Sequence, residues 1–271
     1  MRIDVLTRKI IGLFIIGFLF LQLIACDTPV ESKYTPTLSV QGMLQPFMPT
    51  QELYVYQTTS LQNHPVESDS LLVQDAVVTL TDQTSEYNYR GVENLQHPYY
   101  TLSTDSLDLR PGHRYRLTVK TPELELHGAT TIPEQIAITS PKPFSQLPEG
   151  QDVRVKWGIV DYAHGYVLDI YGTMIASTNY ITGEPDTSRI LYGSFATTDT
   201  SYLLSHFLIH PIKPSEYADI LESRQTALII VMAVDRNFYL HQFVEVPTAG
   251  LDQGYGYFGS ATVDTVQVYL E

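Results

Sequence analysis

From Arg114 to Lys120 the chain switches polarity at every residue: Tyr115, Leu117 and Val119 fall on one side of an extended backbone, Arg116, Thr118 and Lys120 on the other. That period of two commits the segment to a strand with one buried and one wet face, and it excludes a helix. The same pattern recurs in short runs. Thr37 to Gly42 and Leu53 to Tyr56 alternate, Ala76 to Thr81 is β-branched and ends at Asp82, and Tyr99 to Leu102 follows. Leu109-Arg110-Pro111-Gly112 supplies a tight turn into the Tyr115 strand, and Leu124, Leu126 and Ala129 carry the pattern on to Thr131-Ile132-Pro133. Many short strands punctuated by turn residues predict an all-β sandwich.

The second half, from Glu134, repeats this style. Val153 to Trp157 alternates and puts Trp157 in register with Val153 and Val155, facing inward. Tyr166 to Gly172, Thr200 to Leu204 and Ala227 to Asp235 read as further strands, and Val266, Val268 and Leu270 as a closing one. Ser215 to Leu221 has a capping Ser, an acidic first turn and helical spacing, which predicts a short inserted helix.

The amino terminus obeys a different rule. Arg2, Arg8 and Lys9 against the single Asp4 precede a run of 15 apolar positions, Ile10 to Ile24, broken only by Gly12, Gly17 and Gln22. As a helix this run rises about 22 Å, short of the roughly 30 Å hydrocarbon core, and suits the apolar part of a signal peptide. It ends in Leu23-Ile24-Ala25-Cys26, and Cys26 is the chain's one cysteine. The ending resembles a bacterial lipobox, which implies that Cys26 carries diacylglyceryl, that residues 1–25 are removed, and that a further acyl chain such as palmitate caps the new amino terminus. Two or more acyl chains hold a protein stably at a membrane, whereas one does so only marginally. Residues 26–37, polar and with Pro29 and Pro36, are expected to form the tether.

The charge balance narrows the partners. Sixteen Lys and Arg oppose 30 Asp and Glu, a net charge of −14 that becomes −16 once the leader's three basic and one acidic residues are gone. Nucleic acid is excluded as a partner, because binding it requires a surplus of basic side chains. The acidic body suits a protein held at a membrane by lipid rather than by a basic patch, so the lipid on Cys26 is the expected contact.

Three resemblances add to this reading. The Leu109 to Val119 hairpin, preceded by the strand Asp75 to Leu80, resembles the transthyretin-like, carboxypeptidase-regulatory β-sandwich, with the Tyr115 hydroxyl expected to bond back across the corner. The strand ending in Trp157 and the "A-x-G-Y-x-L-x-I-Y" run from Ala163 to Tyr171 resemble a fibronectin type III domain. Taken together, four features resemble the domain-of-unknown-function family 4249: the lipobox, the "L-x-V-x-G" strand from Leu38 to Gly42, the Pro-Gly-x-x-Tyr hairpin, and the segment Gly254-Tyr255-Gly256-Tyr257-Phe258-Gly259. That resemblance implies an envelope protein beside an outer-membrane receptor and assigns no activity.

Chemical motifs are few. Gly254 to Gly259 satisfies G-x-G-x-x-G, but the 12 residues after it leave no room for the helix and acidic residue of a dinucleotide site. His206 and His210 are spaced four apart with Phe207-Leu208-Ile209 between them, so a metalloprotease's Glu is missing, and Pro211 and Pro214 limit any helix. Asp105, Asp108, Glu184 and Asp186 lie beside turns without a calcium-loop series. No G-x-S-x-G elbow occurs. The 19 tyrosines raise the question of glycan stacking, with Tyr255, Tyr257 and Phe258 as the candidate binding surface.

The sequence therefore predicts a signal peptide (1–25), a lipidated tether (26–37), a transthyretin/Ig-like β-sandwich (38–133) and a fibronectin type III-like β-sandwich (134–271) with a short inserted helix. The expected protein is non-enzymatic, without cofactor or metal, lipid-anchored in a diderm envelope and most often at the outer membrane. It is expected to partner an outer-membrane receptor or another envelope protein. The alternative is a glycan- or nutrient-binding lipoprotein, and third comes a hydrolase whose site the sequence hides.

Overall fold

The computed structural model describes residues 34–59, 71–83, 85–92, 99–104, 107–148, 150–178, 185–205 and 225–270. Cys26, the expected helix at 215–221, His206, His210, Asp105 and Glu184 lie outside them. The strands are β1 (Leu38–Leu44), β2 (Thr50–Gln57), β3 (Val77–Thr81), β4 (Glu86–Asn88), β5 (Arg90–Val92), β6 (Tyr99–Ser103), β7 (Arg114–Lys120), β8 (Glu125–Thr131) and β9 (Ile138–Ser140). They continue with β10 (Gln146–Leu147), β11 (Val153–Trp157), β12 (Gly165–Thr178), β13 (Pro185–Thr197), β14 (Ser201–Leu204), β15 (Gln225–Val234), β16 (Thr248–Ala249) and β17 (Tyr255–Leu270). One helix, α1 (Arg236–Val244), sits between β15 and β16.

The chain is all-β around two cores. In the first, the antiparallel sheet β4-β3-β7-β8 faces the sheet β5-β6-β2-β1, which continues into the first half of β17. Leu53, Leu80, Tyr115, Leu117, Leu126 and Phe258 fill the space between them. In the second, β14-β11-β9 faces β13-β12-β15 and the rest of β17 around Val155, Trp157, Leu168, Ile229 and Val266. The alternation that predicted β7 is realised, with Tyr115, Leu117 and Val119 fully buried and Arg114, Arg116 and Lys120 exposed. Trp157 is buried against Tyr166, ring centroids 5.4 Å apart.

Strand β17 belongs to both bodies. Residues Tyr255 to Ser260 pair in parallel with Ser39 to Leu44, and Ala261 to Leu270 pair antiparallel with β15. Residues 255–259 of the glycine-aromatic segment are therefore strand. Its glycines are there for close approach: Gly254 and Gly256 hold φ of +80° and +91°, where a Cβ would collide with the carbonyls of Leu38 and Val40. The G-x-G-x-x-G spacing is thus a consequence of seating this strand on β1.

Buried tyrosines close the corners. Tyr115 Oη accepts the Arg110 N–H at 2.9 Å and donates to Asp108 O at 3.2 Å, the bond expected from the hairpin. Tyr166 Oη accepts the Val160 N–H at 3.1 Å, and Tyr100 Oη bridges Ala76 N and Val73 O, both at 2.9 Å. Each ring fills core while its hydroxyl satisfies loop backbone, the combination that suits tyrosine to buried turns.

A polar knot fastens the two bodies beside α1. Asp235, 4% exposed, caps the helix by accepting the Phe238 N–H at 3.0 Å and takes the Thr130 hydroxyl of β8 at 2.7 Å. Thr130 also lies 2.7 Å from Ser260 Oγ, which donates to Thr131 O at 2.9 Å. Asn237 Nδ2 donates to Ala129 O and Phe258 O at 2.8 and 2.9 Å. Burial pushes the Asp235 carboxyl above its ordinary value, and these hydrogen bonds only partly oppose that.

Candidate tyrosine binding face

The outer face of the β5-β6-β2-β1-β17 sheet is built by the phase of alternation in each strand. In β2 Leu53 and Val55 point into the core, so Tyr54 and Tyr56 point out. In β1 Leu38, Val40 and Leu44 are buried, which turns Ser39, Gln41 and Met43 outward. Phe258 is fully buried in the first core, so Tyr257 and Tyr255 take the outer side of β17. Tyr100 and Leu102 point inward from β6, leaving Tyr99 and Thr101 outside.

Register then brings these side chains into rows. Gln41 sits opposite both Tyr54 and Tyr257, and Ser39 opposite both Tyr56 and Tyr255. Neighbouring strands lie about 4.8 Å apart, so rings on adjacent strands touch. Tyr99 extends the first row, its ring centroid 5.8 Å from that of Tyr54. The result is five tyrosines, 54, 56, 99, 255 and 257, on one sheet face with Gln41 and Ser39 between them.

Helix α1 buttresses one side. Phe238 and His241 pack on Tyr257 at centroid distances of 5.6 and 4.8 Å. His241 Nδ1 lies 3.0 Å from Val246 O and must be the donor, since a carbonyl only accepts. The knot at Asp235 and Asn237 fixes this helix, so Tyr257 is held from behind while Tyr255, 50% exposed, stands free at the surface. Burial raises the Tyr257 hydroxyl above the usual phenol value, and burial with the nearby Glu52 carboxylate does the same for Tyr54. Tyr54 Oη donates to Glu52 Oε2 at 3.2 Å. These hydroxyls therefore remain neutral donors across physiological pH.

A cleft of about 480 Å³ opens on this face, lined among others by Gln41, Met43, Met48, Glu52, Tyr54 and Tyr257. The outward residues of the five strands include one carboxylate, Glu52, and one guanidinium, Arg90, although the chain carries 30 acidic residues. Ring faces, thioethers and amides can bind here, by stacking, dispersion and neutral hydrogen bonds.

Of the candidate surface residues, the structure brings Tyr255 and Tyr257 together and removes Phe258, because consecutive strand residues face opposite ways. Tyr54, Tyr56 and Tyr99 were missed as site residues. The phase of Leu53 and Val55 within β2 was the signal that places Tyr54 and Tyr56 outside. Of the turn carboxylates, Asp108 pairs with Arg110 in an exposed ion pair. Among the described residues no three His, Cys, Asp or Glu side chains gather as a metal cage, and no helix is long and apolar enough to cross a membrane.

Among solved structures the chain is similar to the two Ig domains of DIP-gamma (9% identity, 88% of this chain and 98% of that one, TM-score 0.22). It is also similar to the titin I-band fragment I67–I69 (8% identity, 87% and 65%, TM-score 0.23) and to the tandem V-type regions of VCBP3, a v-region-containing chitin-binding protein (12% identity, 88% and 100%, TM-score 0.20). These are likenesses to strings of β-sandwiches and carry nothing about ligands. No curated protein matches. The sequence model described as "Domain of unknown function (DUF4249)" matches residues 25–240, most of the chain, with the β1 strand and the Pro111-Gly112 hairpin inside the match. The chain belongs to the DUF4249 family.

Proposed function

We propose that this protein is a lipid-anchored, non-catalytic accessory of the cell envelope that docks an envelope protein, such as an outer-membrane receptor, through its tyrosine face. The observation that carries the reading is the composition of that face: five tyrosines on one sheet surface, two of which, Tyr54 and Tyr257, line a cleft with Met43, Met48 and a single carboxylate, Glu52, in a strongly acidic protein. Protein interfaces are enriched in Tyr and Met and depleted in carboxylates at their centre, and tyrosine is a frequent hot spot. Acyl chains on Cys26 would confine the two sandwiches to the membrane surface, raising their effective concentration for a membrane-bound neighbour.

The rows of rings with Gln41 and Ser39 between them also favour a second reading, stacking on a glycan. Crosslinking of intact envelopes followed by purification separates the two. Wild-type protein is expected to bring down a protein partner that Tyr54→Ala/Tyr255→Ala loses. Recovery of a saccharide with no protein neighbour would refute the docking proposal.

A further inference from the structure

The opposite sheet of the first sandwich presents a different surface. Four of the chain's 16 basic residues fall between 110 and 120. Arg110 is tied to Asp108, and Lys120 pairs with Glu125 at 3.5 Å, with Glu125 also 3.6 Å from His127. Arg114 and Arg116 form no ion pair among the described residues. Both are exposed on the outer side of β7, two residues and therefore about 7 Å apart.

A cleft of about 670 Å³ lies over them, with Thr81, Thr118, His127 and Leu251 also on its walls. Its shape follows from the sequence. Ala129 stands opposite Arg116 on β8, and so small a side chain leaves room above the sheet. The segment Gly250–Asp252 forms the far wall. It is held to the β8 edge by Ala129 N–H to Gly250 O at 2.8 Å and Asp252 N–H to His127 O at 2.9 Å. Asp252, the carboxylate in the cleft, accepts the His127 N–H through Oδ1 at 2.9 Å. Thr118 Oγ1 lies 3.2 Å from His127 Nδ1, which orients the ring.

We propose that this cleft binds a phosphoryl group. Two guanidinium forks that form no ion pair among the described residues present paired donors matched to an oxyanion, and Arg recognises phosphate in that bidentate manner. Charge favours phosphate over carboxylate: a phosphate monoester carries about −1.5 to −2 at neutral pH and can satisfy both arginines, whereas a carboxylate satisfies one. Thr81 and Thr118 offer hydroxyls for the remaining oxygens. This site lies on the opposite sheet from the tyrosine face and does not depend on it. The same chemistry could come from a soluble phosphate ester or a lipid headgroup.

The test uses the full chain in zwitterionic detergent, titrated calorimetrically with inorganic phosphate and, separately, with acetate. Saturable phosphate binding is expected, stronger than acetate binding and weakened roughly tenfold or more in Arg114→Gln/Arg116→Gln. Arg154→Gln/Lys156→Gln, which removes the same charge from exposed positions of β11, is expected to leave it unchanged. Competition by phosphatidic acid, whose headgroup is a phosphate monoester, added to the micelles, but not by phosphatidylcholine, would assign the site to a lipid headgroup; phosphate binding without that competition would assign it to a soluble ester. The proposal is overturned if phosphate binding does not saturate, if acetate binds as well, or if both double variants weaken binding alike.

Discussion

Replacing Asp235 tests how the two sandwiches are fastened. Its carboxyl caps α1 and receives the Thr130 hydroxyl within a buried chain that runs on through Ser260 to the Thr131 carbonyl. Proton counting shows what the chain needs. Thr130 and Ser260 own one hydroxyl hydrogen each, yet three contacts must be bridged: Asp235 to Thr130, Thr130 to Ser260, and Ser260 to Thr131 O. With Thr130 donating to Asp235 and Ser260 to the Thr131 carbonyl, both hydrogens are used and the Thr130–Ser260 contact is left without one. Burial raises the Asp235 carboxyl above its ordinary 3.8, and the hydrogen bonds from the Phe238 N–H and Thr130 oppose that shift.

Asp235→Ala removes an N-cap, about 1 kcal/mol. It also strands buried hydroxyl partners at about 1–3 kcal/mol. The combined loss is about 3 kcal/mol, or about 6–12 °C in Tm for a domain pair of this size. The pH dependence has a definite sign. Because the folded-state value lies above the unfolded one, the stabilisation from Asp235 is complete below the unfolded value near 4 and is lost as pH rises through the raised folded value. Asn caps a helix as well as Asp and does not ionise. Urea unfolding of wild type, Asp235→Asn and Asp235→Ala from pH 4 to 8 reads this directly, with the Asn variant gaining on wild type as pH rises. A wild type that gains on Asp235→Asn with rising pH, or an Ala variant within about 1 kcal/mol of wild type, would contradict this role for Asp235.

Other positions give independent checks by denaturant unfolding unless stated. Phe258→Ala empties a site at the centre of the first core and is expected to cost about 3–5 kcal/mol. Gly256→Ala is expected to cost more than about 1 kcal/mol, since φ is +91° and the new Cβ meets the Val40 carbonyl. Tyr115→Phe keeps the ring but leaves the Arg110 N–H without its acceptor, an expected loss of about 1–3 kcal/mol. Alkyne-palmitate fed to cells is expected to label the wild-type protein and to leave Cys26→Ser unlabelled.

Local pattern made much of the fold legible. Strands β1, β3, β7, β11 and β15 each carry their own alternation or β-branched run, and Pro111-Gly112 with Tyr115 encodes its corner in seven residues. What escaped was non-local. Pairing β1 with β17 joins residues more than 200 apart and turns the glycine-aromatic segment into strand, and nothing within six residues announces that. Helix α1 escaped for another reason. None of its residues is fully buried, so no apolar stripe marks it, and Asp235 as N-cap was its one readable signal. The tyrosine face was half visible: Tyr255 and Tyr257 stood out by adjacency, whereas Tyr54, Tyr56 and Tyr99 join them only through strand register.

The tyrosine face is where a partner is expected to sit, and site-specific photo-crosslinking in intact envelopes measures this most directly. A photoreactive side chain at position 54 or 255 is expected to yield a covalent adduct with one envelope protein, and the same group at Thr79, on the outer side of the opposite sheet, to yield none. Equal adducts from all three positions, or none from 54 and 255, would contradict it.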